Sequence, residues 1–577
     1  AETRGEMIEY LQLIAGDKPK TKDIFEGIDM TWGRVKEGSD MMKRMDDIIE
    51  RYEVLQPSSS IKSLGEVKSV IDSLSFWVHT RGPDNNSLLW SITKRRAAEE
   101  LLLSLAGLVF EATSSRSLIA TGDSVPITTN LLPRQEVQGG MMSQLLVGGV
   151  TINVVDSQDV SMVSRTTTIS GPNYVDEPYW LAKPHSALYE VPSFTIGIPT
   201  WTHALRGKLV LKGLAEYGVV HETEVIQRSV DRVAGERIRP VYVTPVASII
   251  PQPHVLIARG GPQKITVEVE ALTDSLTGQL NVRPPEGWAT TKDLKLVNIA
   301  KRNTRQSFSI TLAPTENAKA GAVAFEFTGP KGKADRTLHE IDYPHIMPQV
   351  YYTPAEVKLV PLDVKVNAKT VGYIKGAGDE VPAAIEQLGV QVEMINPATA
   401  TLESLRKYDA IVTGIRAYNT TKTLKDLNPV LMNYVEEGGT LVVQYNTLSR
   451  DMVLPDSLFG PYPFKLTRDR VTVEEALPTF LAKDHPLLNV PNAITAADFD
   501  GWVQERGLYF CGSLDPHYTP LLAWNDPGED PLNGGLITCD YGKGRYVYTG
   551  ISFFRELPAG VPGAYRLFAN LISKREQ

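Results

Sequence analysis

Cysteine is almost missing from this 577-residue chain, in which only Cys511 and Cys539 occur. Two thiols can neither staple a polypeptide of this length nor supply a four-thiolate zinc site. Their spacing leaves open whether they pair. Long apolar runs are missing too: the longest, such as Leu101–Phe110, fall well short of the roughly 20 residues a membrane helix needs, and there is no signal-type start. Dense Lys/Arg runs are also lacking. The 59 basic and 68 acidic residues give a formal charge of −9 and a pI near 5.7. A phosphate backbone therefore finds no electrostatic footprint, and nucleic acid is not an expected partner. No repeat or low-complexity tract interrupts the chain. It opens on Ala1 rather than Met, which suggests a processed product or the later part of a longer one.

What is present is ordinary for a folded protein, 42 % hydrophobic and 22 % charged. The length is too great for one core and predicts about three to five domains. Residues 1–113 read as a helical region. Met41, Met45, Ile48 and Tyr52 recur at helical spacing, with Ser39 and Asp40 placed to cap the start. Ala97, Leu101, Leu105 and Leu108 repeat the pattern. Such a Met stripe is first of all a core face, and otherwise a partner groove. Exposed helices here would be the contact surface of a homodimer.

From residue 114 the texture changes to short β-branched runs broken by Gly, Pro and Asn, the pattern of a β-sandwich over 114–243. Beyond a connector at Ile238–Val243, a second all-β domain is expected over 244–345. There Ile265, Val267 and Val269, and later Val323, Phe325 and Phe327, alternate with polar residues. Residues 346–577 alternate strand and helix patterns, which predicts an α/β domain with a largely parallel, doubly covered sheet. The fold class expected is thus multidomain α+β: a helical segment, two sandwiches and a flavodoxin-like α/β end.

Ligands of such sheets usually meet the carboxyl ends of the strands. Two stretches there draw attention. Gly376-Ala377-Gly378-Asp379-Glu380 has the outline of a phosphate loop, but its carboxylates stand where an anion would bind and can cap the following helix themselves, with Pro382 in the first turn. A cap, or failing that a polar-ligand site, fits better. Arg416, Tyr418 and Asn419 follow the strand DAIVTG and would line the same crevice. A loop-rich insertion adds Arg468, Asp469, Arg470 and Glu474, then Asp484 and His485, then Asp498, Asp500, Trp502, Glu505 and Arg506. Carboxylates beside an aromatic platform suit a sugar, whereas Arg–Asp pairs can equally be scaffold.

Covalent chemistry lacks its parts. The strand Thr440–Tyr445 runs into Asn446-Thr447-Leu448, with neither a Ser or Cys nor flanking glycines to form a nucleophile elbow. Cys511 and Cys539 lie outside any such turn and read as small buried apolar residues. His339 and His345 match no zinc spacing. No residue of the chain is singled out as catalytic or metal-binding.

The strings YIKGAGDEVPAAIEQLG, YDAIVTGIRAYN, YVEEGGTLVVQYN, RDRVTVEEA, DHPLLN, DFDGWVQERGLYF and GKGRYVYTGISFFRELPAGVPGAYRL resemble the C-terminal region of large bacterial proteins of the PIG-L (LmbE-like) deacetylase family. EPYWL at Glu177–Leu181, VDRVAGERIRP at Val230–Pro240 and FEGIDMTWGRV at Phe25–Val35 extend the resemblance over nearly the whole chain. In that family an N-terminal zinc domain removes an acetyl group from an N-acetylglucosamine-type substrate, with an Ala/Pro-His-Pro-Asp-Asp-Glu-like signature. This chain has no such string; Asp484-His485-Pro486 shares only the His-Pro pair.

The resemblance implies that the chain is the part following the deacetylase. It implies an Ig-like domain of the galactosidase-associated type at 244–345 and a class I glutamine amidotransferase-like domain at 346–577. Zinc is expected only in the upstream deacetylase domain or subunit, and no cofactor in this chain. A glycan or amino-sugar ligand and a periplasmic or extracellular setting follow from the same resemblance. The function expected is a non-catalytic, carbohydrate-interacting or scaffolding accessory region. The alternatives are a hydrolase using carboxylates such as Glu474, Asp498 or Asp500, and a purely structural or dimerising module.

Overall fold

The computed structural model describes residues 10–21, 23–29, 31–34, 39–81, 85–137, 139–196, 203–214, 217–291 and 294–574. Residues 1–9 of the expected helical region, and Met30 and Val35 of FEGIDMTWGRV, lie outside them. The protein is β-rich and multidomain, with 38 % strand and 19 % helix. It divides into two compact units: residues 1–245 with 339–351, and residues 246–338 with 352–577.

The first unit opens on helices Ser39–Glu50, Ile61–Arg81 and Asn85–Leu105. Residues 10–29 hold no helix among those described. Gly16 and Gly27 there adopt φ of 97° and 86°, conformations that interrupt a helix. The expected stripe ending at Leu108 also needs correction. The helix stops at Leu105, Gly107 turns the chain at φ 63°, and Leu108–Ser114 is a strand. Leu108, Phe110 and Ala112 alternate inward there, while Leu101 is 51 % exposed and Leu102 takes the buried position. Met41 is buried with Leu64, Val67 and Leu102, and Met45 and Ile48 pack against that cluster, but Tyr52 is exposed.

The sheet beneath these helices runs in the order Val150–Ser157, Gly140–Val147, Leu205–Leu214, Tyr217–Asp231, Leu108–Ser114, Ser124–Pro133, Val163–Ser170. The 15-residue strand Tyr217–Asp231 serves two halves. Its start pairs with Leu205–Leu214 and its end with Leu108–Ser114 and Gly235–Pro240. The halves face each other closely: a Cβ on Gly207 would lie 2.8 Å from that of Ala112. The stretch Ile238–Val243, expected as a connector, belongs instead to strands Gly235–Pro240 and Tyr242–Thr244. Val241 and Val243 are fully buried, so their apolar side chains are drawn into the sheet.

The second unit begins with two facing sheets. One has the order Ala247–Gln252, Gln263–Ala271, Arg305–Pro314, Trp288–Thr290; the other Val255–Ala258, Glu356–Pro361, Gly321–Gly329, Leu276–Arg283, Lys295–Ile299. Ile265, Val267, Val269, Val323, Phe325 and Phe327 are all buried, as their alternation requires. The strand Glu356–Pro361 comes from beyond residue 345 and buries Val357 and Leu359.

The remainder is built on a seven-stranded sheet ordered Gln391–Met394, Thr370–Ile374, Ala410–Thr413, Thr440–Gln444, Gly544–Thr549, Leu536–Tyr541, Thr519–Pro520. The first five are parallel, and Leu536–Tyr541 is antiparallel to its neighbour on either side. Two apolar cores cover its faces. Val371, Val412, Val442 and Val547 join the helix Pro562–Ile572 in one; Ile411, Leu441, Val443 and Tyr546 join the helix Leu424–Glu436 in the other. Buried on both faces, these strands need continuous apolar runs.

Candidate functional site

The parallel strands deliver their loops to one end of the sheet, and the loops there are tied tightly together. A Cβ on Gly376 would sit 2.0 Å from the carbonyl oxygen of Ile415, so only glycine allows this approach. That same oxygen accepts the Ala377 N–H at 2.9 Å. Asp379 completes the tie. Its Oδ1 accepts the Tyr373 hydroxyl at 2.6 Å and the Val381 N–H at 3.1 Å, and its Oδ2 accepts the Ile415 N–H at 3.2 Å. The glycine-rich stretch is therefore a close-approach loop capped by its own carboxylate. Glu380 is exposed and makes no side-chain cap.

Arg416 follows Ile415 in left-handed backbone, φ 55°, and its N–H donates to Tyr445 O at 2.8 Å. Tyr418 is fully buried, stacked on Phe459 at 4.3 Å, and its hydroxyl donates to Asn428 Oδ1 at 2.6 Å. Asn419 Nδ2 donates to Thr447 O, and its Oδ1 accepts the Thr447 N–H, both at 2.9 Å. Neither side chain forms the expected crevice wall: Tyr418 packs into the core beside the helix Leu424–Glu436, and Asn419 ties down the loop at Thr447.

The insertion divides in the same way. Arg468, Asp469, Glu474 and Asp500 are exposed. Asp498 belongs to the scaffold: it accepts Arg566 Nε and the Thr495 N–H, each at 2.8 Å. Trp502 is buried, with Phe499 stacked on it at 5.2 Å and the Arg506 guanidinium over its ring at 5.2 Å, so it offers no open platform. Glu505, by contrast, reaches the sheet end. It lies 3.0 Å from Arg470 Nη2 and 3.5 Å from Arg555 Nε.

Sequence reasoning missed an aromatic group at this end. Tyr445 lies near-parallel to Tyr509, with centroids 6.1 Å apart and planes 6° apart, and is 5.2 Å from Phe554. The Arg555 guanidinium covers Phe554 at 4.8 Å. Buried polar atoms without a hydrogen-bond partner gather here as well. They are Thr413 Oγ1, Arg416 Nε, Gln444 Oε1, Thr447 Oγ1, Arg506 Nη1, Ser552 Oγ and Glu556 Oε1. Folded proteins tolerate few such groups, and each calls for an explanation. Strained backbone concentrates in the same place: Gln504 and Tyr509 join Arg416 at φ of 65° and 55°, a cost of about 1–2 kcal/mol per residue. No sequence motif announces these features, because they arise only when several loops meet.

Burial is the largest influence on the charges. It pushes Glu556 up to about 7, against the opposing hydrogen bond from the Val503 N–H and the nearby Arg506, and it lowers Arg506 from the usual guanidinium range. The two cysteines are free and buried. Burial pushes the Cys511 thiol well up and the Cys539 thiol to about 12, so neither supplies a thiolate. At the elbow position, Asn446 is fully buried, accepting the Tyr418 N–H at 2.9 Å and donating to Gln444 O at 3.0 Å. Among the described residues no group of three or more His, Cys, Asp or Glu is placed to hold a metal.

At the opposite, amino end of the strands lies an open depression of about 540 Å³ around Arg406, Tyr408, Asp409 and Lys574. There Arg406 pairs with Glu437 at 2.8 Å and Lys574 with Asp409 at 2.6 Å. The carboxyl end is the stronger candidate.

Comparison with protein-family models and with curated proteins finds no match. Among solved structures, Salmonella alpha-2-macroglobulin reacted with methylamine aligns at 11 % identity over 45 % of this chain, with a TM-score of 0.16. Native E. coli alpha-2-macroglobulin aligns at 10 % identity over 45 %, with a TM-score of 0.15. The alignments span only 16 % and 17 % of those chains. At such scores the likeness carries no argument about this protein.

Proposed function

We propose that this chain is a non-catalytic accessory region of a PIG-L-type zinc-dependent N-acetylglucosamine deacetylase, and that it engages carbohydrate through the crevice at the carboxyl ends of its parallel strands. In this reading residues 346–577 are amidotransferase-like without the nucleophile, the sandwich before them is Ig-like, and the setting is periplasmic or extracellular. The observation that carries it is the meeting of unpartnered buried polar atoms with the aromatic group Tyr445, Tyr509 and Phe554. Hydroxyl-rich ligands use donors and acceptors of both kinds, and a sugar ring face packs on an aromatic edge or face.

Calorimetric titration of the full chain with amino-sugar-containing glycan fragments tests the proposal. Saturable binding that weakens in Arg416→Ala and Tyr509→Ala is expected. A blank panel, or zinc-dependent deacetylation by the chain itself, overturns it.

A further inference from the structure

Far from the crevice in sequence, the first unit holds a half-open cavity of about 290 Å³ bordered by Asp176, Glu177, Trp180, His203, Glu224 and Tyr242. Its other walls, such as Met347 and Val350, are largely apolar, and no Lys or Arg lines it. The frame is rigid. Asp176 is 1 % exposed and uses both oxygens on backbone, accepting the Ala204 N–H at 3.0 Å and the Val243 N–H at 2.8 Å. Tyr242 donates its hydroxyl to Pro348 O at 2.9 Å, and Trp180 is braced edge-on by Tyr179 at 4.9 Å.

Two side chains are left with capacity to spare. His203 packs edge-on to Tyr242 at 4.8 Å and holds Nε2 at 3.8 Å from Glu224 Oε2, while its buried Nδ1 has no hydrogen-bond partner. The Glu224 side chain is 49 % exposed, and that distance is too long for a hydrogen bond. Three carboxylates line the cavity, those of Asp176, Glu177 and Glu224. Burial, with Glu224 and Asp176 acting in the same direction, pushes the Tyr242 phenol up to about 12.

We propose that this cavity binds a small organic cation, an ammonium group carried on an apolar body. Aromatic faces attract a cation through their quadrupole, most strongly where water is excluded, and a carboxylate adds charge complementarity. An anion meets repulsion from three carboxylates. A neutral ligand of the same shape gains only buried area.

Choline and its neutral isostere 3,3-dimethyl-1-butanol separate charge from shape and can be titrated calorimetrically into the full chain at low salt. Choline should saturate the site, with the isostere at least about tenfold weaker, and Glu224→Gln and Trp180→Ala should each weaken choline about tenfold. An unchanged thermal transition in Glu224→Gln confirms that folding is intact. Equal affinity for the isostere, no saturable heat up to about 10 mM choline, or full affinity in both variants would each overturn the proposal. Because the crevice lies in the other unit, glycan binding should be untouched in both variants.

Discussion

Tyr445 and Tyr509 lie with their rings only 6° from parallel, yet they reach that arrangement differently. Tyr445 continues a buried parallel strand, whereas Tyr509 is held at φ 55°. The strain at Tyr509 gives a clear comparison. Tyr509→Ala loses the ring and keeps the strain, and Tyr509→Gly loses the ring and releases it. The glycine variant should be more stable than the alanine variant by about 1 kcal/mol, read from denaturant midpoints. Both should lose glycan binding alike.

Glu556 makes stability depend on pH. Its folded pKa, about 7, stands above its ordinary 4.5, so the folded state retains a proton that the unfolded state releases. Its contribution is greatest below about pH 4.5, declines as pH rises through 7, and is level above that, a change of at most roughly 3 kcal/mol. Glu556→Gln should remove that decline. Calorimetric transitions of both proteins at pH 5 and pH 8 provide the check: the variant should gain on the parent at the higher pH.

Lys68 is buried between Asp72 at 2.7 Å and Glu99 at 3.6 Å, and burial raises the Glu99 carboxyl. Lys68→Met would strand that carboxylate at a cost of about 3 kcal/mol. Adding Glu99→Leu should restore most of the loss. Thermal unfolding of the single and double variants measures the coupling.

Gly376→Ala should be disproportionately harmful for one methyl group. The new Cβ meets backbone rather than a flexible side chain, 2.0 Å from Ile415 O, so two loops must part. A loss of about 2–4 kcal/mol is expected, together with weakened glycan binding. Gly378→Ala has open space around it and strains only its φ of 107°. Its cost should be smaller.

Patterns within one element were readable from sequence, and relations between elements were not. The alternation of Ile265, Val267 and Val269 and the continuous apolar strand Ala410–Thr413 follow from which faces must leave water. The end of the third helix did not, because Leu105-Ala106-Gly107-Leu108 keeps a helical apolar spacing while Gly107 turns the chain. Asp379 and Arg416 were legible as strand-end residues, because strand ends are where loops converge. Tyr509 and Phe554 were not: they come from segments distant in sequence, and nothing in GLYF or SFFRE shows that they meet Tyr445. Tyr418 and Asn419 were correctly placed along the chain, but the direction of their side chains depends on a four-residue helix.

The division of the chain into units has a practical consequence for anyone cutting it. The polypeptide leaves the first unit after Pro245, returns for residues 339–351 and leaves again. The returning segment is held in place by Arg239, which pairs with Glu340 at 3.0 Å and with Asp342, and by the Tyr242 hydroxyl on Pro348 O. A protease nick at Pro245–Val246 would therefore sever the backbone without freeing a clean fragment. The two pieces should co-elute under native conditions and separate only in denaturant, and an expression boundary at residue 245 would leave one wall of the acidic cavity on the wrong piece.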